Sequence, residues 1–206
     1  MNVIIAGEES GVTRDAFASS GHNAWSCDLK PSRSPGGQHY QGSWRDIQWE
    51  SFDLAVLHPE CTHLAVSGAR WFSQKRADGR QQAGIEEFMY LANVPVYAKC
   101  VEQPISIMSR LYRKPDQIVQ PWMFGRWETK ALCYWLTNLP RLSVIYRTAD
   151  ECREALRLPA GSKPEARVHR MPPGPLRAQM RSESFPEIAA AQAMQWGVQI
   201  KAVRAA

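Results

Sequence analysis

Short apolar runs punctuate the chain, and most of them stop at a Gly, a Pro or an acidic residue. Residues 3–6 form a β-branched run that ends at Gly7, and residues 52–57 form a second run that ends at His58-Pro59. Runs of this length and composition are typical of buried strands. A Pro ends such a strand because it has no N–H for the hydrogen-bond ladder. The pattern predicts strands over residues 3–6, 24–27, 52–57, 94–101, 117–120 and 130–136.

Between these runs, apolar residues recur three or four positions apart, which is the spacing of one helix face. In residues 82–93, for example, Ile85, Phe88 and Met89 fall on one side of the helix that this spacing predicts. The spacing predicts helices over residues 12–20, 82–93, 105–112 and 185–196.

Three stretches show neither pattern. Residues 31–42 are rich in Pro, Gly and Ser, which predicts a loop. Residues 69–80 combine Arg, Lys, Trp and Phe beside the chain breakers Gly68 and Gly79, and we interpret them as a mobile basic loop. Residues 137–182 contain many Pro and Arg, and we interpret them as an irregular insertion.

Strands that alternate with helices predict an α/β fold of the Rossmann-like kind, with a mostly parallel sheet and helices on both faces. A chain of 206 residues fits a single domain and is long enough to bury a core. We therefore expect one domain over residues 1–206, with the insertion at residues 137–182 as its irregular part.

Charge and cysteine content narrow the possible partners and compartments. A net charge of +5 permits a polyanionic partner such as nucleic acid. The five cysteines are widely spread and outside metal-finger spacing, so we expect reduced thiols and no metal site. The sequence has neither a signal peptide nor an apolar run that could span a bilayer. These features predict a cytoplasmic protein without a membrane partner. The cysteines are Cys27, Cys61, Cys100, Cys133 and Cys152.

Cys61 follows the strand at residues 52–57, in the turn that Pro59 begins. In open α/β sheets, ligands and reacting groups gather at the carboxyl ends of strands. A Cys in that place is a candidate nucleophile. The alternative is a small buried residue, because free Cys is among the most buried residue types.

The first strand, turn, helix and second strand have the layout of a nucleotide-binding site. The turn runs from Gly7 to Gly11, and Asp28 follows the second strand at about the distance expected for an acid that accepts from ribose hydroxyls. Asp46 falls where an acid could meet the edge of an adenine ring. Asp28 could instead be a turn residue at the end of a strand, and Asp46 could only cap a turn.

The basic loop is the candidate nucleic-acid surface. Cations beside aromatic rings suit contacts with phosphates and stacking on bases, although a solvated surface stretch has the same composition. The candidate DNA-binding residues are Arg70, Trp71, Lys75, Arg76 and Arg80.

The order of these features resembles that of the DNA cytosine-5 methyltransferases. The chain has a Gly-containing first loop, an acid after the second strand, Pro59-Glu60-Cys61 after a buried strand, and Glu102-Gln103-Pro104 after the next one. It is especially similar to the small single-domain members that phages and prophages encode. The resemblance covers roughly residues 1–136. The closing helix, from Phe185 on, resembles the last helix of the family, which lies on the cofactor side.

The resemblance implies an enzyme that transfers a methyl group from S-adenosylmethionine to cytosine C5 in DNA, in a bacterial or phage-infected cell. Cys61 would add to cytosine C6, because a thiolate is the nucleophile that this reaction needs. Glu102 would bind the amino group and N3 of the base, and Lys130 would contact its O2. Residues 137–182 would be a minimal DNA-recognition segment. The residues that would frame S-adenosylmethionine are Ala6, Gly7, Ser10, Gly11, Asp28, Asp46 and Pro59.

The chain departs from the family at several of these positions. Glu8 and Glu9 stand close to where the methionine carboxylate is expected, and they could instead accept from its ammonium group. Glu60 precedes the nucleophile, where a carboxylate raises the pKa of a thiol. Thr62 and Gln103 replace the Gln and the Asn that follow the catalytic Cys and Glu in the family.

Two alternatives to a methyltransferase therefore stay open. The first is a methyltransferase-like protein that binds DNA or cofactor without turnover, which Glu60 and the first loop favour. The second is a Rossmann-like enzyme that acts on free pyrimidine nucleotides. The basic aromatic loop argues against the second, because a small substrate does not need it.

Overall fold

The computed structural model describes residues 1–172, 174 and 177–205, and within these ranges it forms one seven-stranded sheet with helices on both faces. The strands are β1 Asn2–Ala6, β2 Asn23–Asp28, β3 Gln38–Gln41, β4 Leu54–Leu57, β5 Ala98–Pro104, β6 Gln117–Val119 and β7 Leu132–Thr137. The helices are α1 Val12–Ser19, α2 Phe72–Ala77, α3 Arg80–Ala92, α4 Met108–Leu111, α5 Ala149–Ala155, α6 Arg167–Arg170, α7 Arg177–Ser182 and α8 Pro186–Ala205.

The strand order across the sheet is β3-β2-β1-β4-β5-β7-β6. Strands β1 to β5 are parallel, and β7 runs antiparallel to both β5 and β6. This arrangement confirms the predicted α/β, Rossmann-like class with a mostly parallel sheet. It also places the start of β7 beside the carboxyl end of β5, because the two strands run in opposite directions.

Two apolar layers bury the two faces of the sheet, as the alternation of side chains along a strand requires. Val3 and Ile5 of β1 point to the layer that contains Phe17 of α1 and Trp196 of α8. Ile4 points to the opposite layer, which contains Phe88 of α3 and the indole of Trp135. Phe88 and Trp135 meet edge to face, with ring centroids 5.1 Å apart. The helices that cover the two faces of the sheet, α1, α3 and α8, are therefore among those that the apolar spacing predicts.

Strand β3 contradicts the prediction of a continuous loop over residues 31–42. It is a polar edge strand, Gln38–Gln41, that pairs with β2 from Trp25 to Asp28. Sequence patterns miss it because neither of its faces is buried. The β2–β3 connection has only nine residues, 29–37, whereas parallel strands usually need a crossover of a dozen or more.

A buried arginine takes the place of the usual crossover helix. Arg14 of α1 is fully buried, and its guanidinium donates to Ser26 Oγ at 3.2 Å, Ser32 Oγ at 2.9 Å and the carbonyl of Ser34 at 3.1 Å. A Cβ on Gly37 would lie 2.3 Å from the Arg14 guanidinium carbon, so only glycine allows the loop to close over this side chain. The crossover is thus anchored by one cation.

The region predicted as a mobile basic loop is helical. Residues Val66–Trp71 form a 3-10 helix that continues into α2, and Gly79 separates α2 from α3 with a φ of 80°. Gly79 is therefore a break between two helices, not part of one long loop. The helix predicted at residues 105–112 is shorter, with a single turn at Met108–Leu111.

The insertion at residues 137–182 carries short helices joined by irregular chain. They are α5, whose N-terminus is capped by Thr148, and the shorter α6 and α7. Helix α8 starts one residue after the predicted position and extends to Ala205. Within the residues described, no helix is both long and apolar enough to cross a membrane.

Candidate active site

The sheet topology brings Cys61, Glu102 and Lys130 toward one edge. Strands β4 and β5 are parallel and in register, with Leu57 opposite Val101, so the chain that leaves β4 at His58 runs beside Glu102, which lies within β5. Strand β7 enters from the same edge, with Leu132 opposite Pro104 of β5. Lys130 lies two residues before Leu132, so the segment that leads into β7 passes close to Glu102.

Glu102 lies in a mostly enclosed position at this edge. Its side chain is 14% exposed, and its Oε1 lies 3.8 Å from Nδ1 of His58, which is itself largely buried. The Nε2 atom of His58 is buried without a hydrogen-bond partner among the residues described. Glu102 and Lys130 also line one small cavity together with Thr13, Glu183 and Phe185. The acid therefore faces a space bounded by α1 and the start of α8.

Lys130 is held from two sides. Its ammonium donates to the carbonyl of Arg181 at 2.8 Å and lies 5.5 Å from the ring centre of Phe185. Its backbone N–H donates to Oε1 of Gln120 at 2.9 Å. Burial lowers the pKa of the Lys130 ammonium, and the charges of Glu102 and Cys61 oppose that shift.

Glu128 fixes the segment just before Lys130. This carboxylate is 6% exposed and accepts from Arg126 Nε at 2.9 Å and from Arg167 Nε at 2.8 Å. Arg167 belongs to α6, so the ion pairs tie the insertion to the segment before β7 that carries Lys130. No sequence pattern marks Glu128, because its two Arg partners lie in stretches without a clear pattern.

Cys61 is half-buried, and its thiol is not set up as a free thiolate. Burial raises its pKa, and the adjacent Glu60 carboxylate raises it further. The cations of Lys130 and Arg181 act in the opposite direction. The predicted effect of Glu60 thus appears, but desolvation is the larger cause.

Three side chains from other elements hold the Cys61 loop in place. Gln103 donates to the carbonyls of Pro59 at 3.4 Å and Glu60 at 3.3 Å, and its own Oε1 is buried with no partner in the part of the chain described. Lys75 of α2 donates to the carbonyl of Thr62 at 2.5 Å. Glu87 of α3 accepts from the backbone N–H of Glu60 at 2.8 Å. These contacts join residues far apart in sequence, which is why the sequence alone gave no role to Glu87.

Gly7 lets the ends of β1 and β4 meet. Its φ is +81°, and a Cβ there would lie 2.3 Å from the carbonyl oxygen of His58. The backbone N–H of His58 donates to the carbonyl of Ala6 at 2.8 Å, which completes the contact. Gly11 likewise has a φ of +77° and faces Arg14 and Ser34. Both glycines therefore accommodate the chain's own atoms.

Glu8 caps the N-terminus of α1. Its carboxylate is buried and accepts from the backbone N–H of Thr13 at 2.7 Å and of Arg14 at 3.1 Å. Ser10 donates its hydroxyl to the same carboxylate at 3.1 Å. The N–H groups that a bound anion would need are thus already used by an anion of the chain.

Asp28 and Asp46 lie around one thiol at the end of β2. Burial raises the pKa of Cys27 to about 12, and the charges of Asp28 and Asp46 add to the shift. Oδ1 of Asp28 accepts from the backbone N–H of Lys30 at 2.9 Å, and Asp46 accepts from the hydroxyl of Tyr40 at 3.4 Å. The structure therefore brings the two acids near each other, as a shared site would require.

The candidate DNA-binding residues differ in exposure. Trp71 is 51% exposed, with the Arg70 guanidinium 5.1 Å from its ring centre, and Arg76 is also exposed. Arg80 is paired with Asp78, with Nη2 and Oδ2 2.5 Å apart. Lys75 is only 7% exposed and bonded to the Cys61 loop, so in this conformation it does not face solvent.

The positive charge of the protein is concentrated in the insertion. Residues 140–182 contain nine Arg and Lys against four Asp and Glu, an excess of +5 that equals the net charge of the whole chain. Within the described ranges, no group of three or more His, Cys, Asp or Glu residues is placed to hold a metal ion.

No protein-family model and no curated protein matches this chain. Solved structures with a similar fold include a protein described as a DNA modification methyltransferase encoded within an E. coli prophage, with a TM-score of 0.46 and 14% identity over 66% of this chain. Another is the S. pombe Dnmt2 methyltransferase, with a TM-score of 0.42 and 13% identity over 82% of this chain. The matches cover 46% and 58% of those two proteins, so this chain spans about half their length.

Proposed function

We propose that this chain is a DNA cytosine-5 methyltransferase that uses S-adenosylmethionine. The observation that carries the proposal is the convergence of a cysteine, a carboxylate and a lysine at one strand edge. Glu102 and Lys130 share a cavity, and the charges of Cys61 and Glu102 both act on Lys130. Shifted pKa values in a cluster, such as those of Cys61 and Lys130, are typical of active sites.

Each of the three groups has a task in that reaction. Cys61, as its thiolate, would add to C6 of cytosine, and the ring electrons would then be available at C5. Glu102 would hold the amino group and N3 of the base, and Lys130 would stabilise the charge that develops on O2. The cofactor supplies the methyl group as an electrophilic sulfonium. The base must leave the duplex to reach this edge.

The residues near the strand ends fit a bound cofactor. Two buried polar atoms, His58 Nε2 and Gln103 Oε1, lack partners within the described chain, and such atoms usually find one in a ligand or water. Asp28 keeps an oxygen available to accept from ribose hydroxyls. The residues that would hold S-adenosylmethionine are those predicted from the sequence, namely Ala6, Gly7, Ser10, Gly11, Asp28, Asp46 and Pro59.

The proposed DNA surface has two parts. Arg70, Trp71 and Arg76 are exposed on the segment after the Cys61 loop, and the insertion at residues 137–182 carries an excess of +5. Positive surface of this kind supplies most of the affinity for the phosphate backbone. The pairing of Arg80 with Asp78 favours a smaller part for Arg80. We place the activity in the cytoplasm of a bacterial or phage-infected cell.

Covalent trapping tests the proposal. A duplex in which every cytosine is replaced by 5-fluorocytosine removes the need to know the target sequence. With S-adenosylmethionine present, the wild type should form a complex that survives denaturation, because fluorine at C5 cannot leave as a cation after methyl transfer. Cys61→Ser should give no such complex, since the hydroxyl is far from ionised at neutral pH.

Cys152→Ser is the matched control for that substitution, because Cys152 is a buried thiol of α5 away from the strand edge. It should trap at the wild-type rate. Methylation of ordinary DNA by Cys61→Ser at the wild-type rate would contradict the mechanism. Glu102→Gln should still bind DNA but trap slowly, because the ring nitrogen loses its partner.

One observation favours a second candidate, a protein that binds DNA and cofactor without turnover. Burial and Glu60 both raise the pKa of Cys61, whereas catalytic cysteines usually have a lowered pKa. If the wild type binds both ligands but never traps, and Glu60→Gln restores trapping, then Glu60 has silenced a competent site. If neither variant traps, the fold has kept binding alone.

A further inference from the structure

The N–H groups at the start of α1 are not available to the carboxylate of the proposed cofactor. Helix N-termini bind carboxylates because their N–H groups are unpaired. In this chain Glu8 already occupies those groups at the start of α1, through Thr13 and Arg14. A second carboxylate at the same place would be repelled. The carboxylate of the cofactor therefore needs a cation elsewhere.

A chain of ion pairs lies next to this loop. Nε of Arg33 is 3.5 Å from Glu9, and its Nη1 is 3.6 Å from Glu183. Lys30 is 3.0 Å from the other oxygen of Glu9. These pairs join the first loop, the crossover at residues 29–37 and the linker before α8. Both contacts of Arg33 are longer than a close charge-assisted hydrogen bond, so a ligand could replace either one.

The position of these ion pairs matches one end of an extended ligand. On one side, the backbone of Lys30 is bonded to Asp28, the candidate ribose acceptor. On the other side, Glu183 lines the same cavity as Glu102 and Lys130. Contacts thus connect Arg33 to Asp28 through Glu9 and Lys30, and to the cavity of Glu102 and Lys130 through Glu183.

We infer that Glu9, Arg33 and Glu183 form the subsite for the α-amino-acid end of the cofactor. This inference rests on the proposed function. Arg33 takes the carboxylate, and Glu183 or Glu9 takes the ammonium group. The alternation of a carboxylate, a guanidinium and a second carboxylate is complementary to a zwitterion. An uncharged group would gain nothing from it.

Two ligands that differ only at that end test the subsite by calorimetry. S-adenosylhomocysteine carries the amino acid, and 5′-methylthioadenosine lacks it. Arg33→Ala should weaken S-adenosylhomocysteine at least about tenfold, the usual effect of losing a charge-assisted contact. Its affinity for 5′-methylthioadenosine should change less than about twofold. Glu183→Gln should discriminate between the two ligands in the same sense.

Lys30→Ala is the matched control, because Lys30 pairs with Glu9 but is 67% exposed and does not bridge to Glu183. It should leave both affinities within about threefold of the wild type. Equal losses for both ligands in Arg33→Ala and Glu183→Gln, or no loss in either, would overturn the subsite while the cofactor stands. Failure of the wild type to bind either ligand would overturn the proposed cofactor and the subsite with it. Unchanged thermal midpoints would exclude misfolding as the cause.

Discussion

The buried polar groups at the ends of β1 and β2 differ from those at the ends of β4 and β5 in how fully they are hydrogen-bonded. At the ends of β1 and β2, the buried Glu8 and Arg14 are saturated by the chain's own atoms. At the ends of β4 and β5, His58 Nε2 and Gln103 Oε1 are buried without partners among the described residues. Glu8 and Arg14 therefore serve rigidity, whereas His58 Nε2 and Gln103 Oε1 keep hydrogen-bonding capacity for a ligand or water.

This difference implies a division between stability and reaction. Substitution of Glu8 or Arg14 should destabilise the fold, because each buried partner left unpaired costs free energy. Substitution of Gln103 or His58, at the ends of β4 and β5, should leave the fold intact and change the proposed reaction. The variants that follow probe this division and the groups around it.

The largest effect is expected for Arg14→Met. Removal of a fully buried guanidinium leaves Ser26, Ser32 and the crossover carbonyl without their donor. We expect a loss of about 3 kcal/mol in the free energy of unfolding, measured by urea titration. Arg33→Met is the control, because its ion pairs are partly exposed and should contribute less than about 1 kcal/mol. Equal losses in both variants would contradict the anchoring role of Arg14.

At the end of β5, Gln103→Leu should affect the proposed reaction more than the stability of the fold. It removes two long hydrogen bonds to the Cys61 loop, but it also removes the unpartnered Oε1. We expect the free energy of unfolding to change by less than about 1 kcal/mol, since the two lost hydrogen bonds are long and removal of a buried oxygen without a partner offsets their loss. Trapping of 5-fluorocytosine DNA should slow about tenfold, because the loop loses its alignment. A large loss of stability with normal trapping would place Gln103 among the structural residues.

DNA binding provides the third test, because Lys75 and Arg76 are neighbours of opposite burial. Arg76→Ala should reduce the salt dependence of DNA binding by about one unit of slope, which is roughly fourfold in affinity between 50 and 200 mM salt. Lys75→Met should leave the slope unchanged, since its ammonium is bonded to Thr62 and not presented to solvent. An equal decrease in slope for both variants would show that Lys75 swings out to the phosphates.

The smallest effect is expected at Glu60. Burial is the main cause of the raised pKa of Cys61, and the Glu60 carboxylate raises it further because its charge disfavours the thiolate. Glu60→Gln removes the charge and should lower that pKa, so the thiolate fraction at neutral pH should rise. Alkylation by iodoacetamide near pH 7.5 should therefore be about threefold faster, because the thiolate is the reacting form. Cys61→Ser measures the background from the other thiols.

Lys130→Met gives the opposite sign in the same assay. Lys130 lowers the pKa of Cys61, so its loss should raise that pKa and slow alkylation at the same pH. If Glu60→Gln and Lys130→Met shift the rate in the same direction, the electrostatic account of the thiol is wrong.

Apolar patterning predicted the part of the fold that depends on burial. Strands β1, β2 and β4 were predicted within a residue or two, because both of their faces are covered. Strand β3 was not predicted, because a polar edge strand has no periodic pattern to detect. The crossover at residues 29–37 depends on Arg14, and a buried arginine cannot be distinguished in sequence from an exposed one.

The candidate site shows the same limit. Cys61 and Glu102 could be located from the strand ends and the Pro residues beside them. Gln103, Glu128 and Arg33 could not be given their contacts, because each meets partners from distant parts of the chain. The side chain of Lys75 illustrates the difficulty, since its composition-based interpretation as a phosphate contact conflicts with its burial.

The contacts of Lys130 also bear on how sequence choice would be expressed. Its ammonium is bonded to the carbonyl of Arg181, at the end of α7, and Glu128 ties the preceding segment to α6. Both helices belong to the positively charged insertion. A duplex that fits the insertion poorly would therefore displace Lys130, which we propose contacts the reacting base. Discrimination between sites would appear in the rate of the chemical step more than in the strength of binding, so that a wrong sequence would be held but left unmodified.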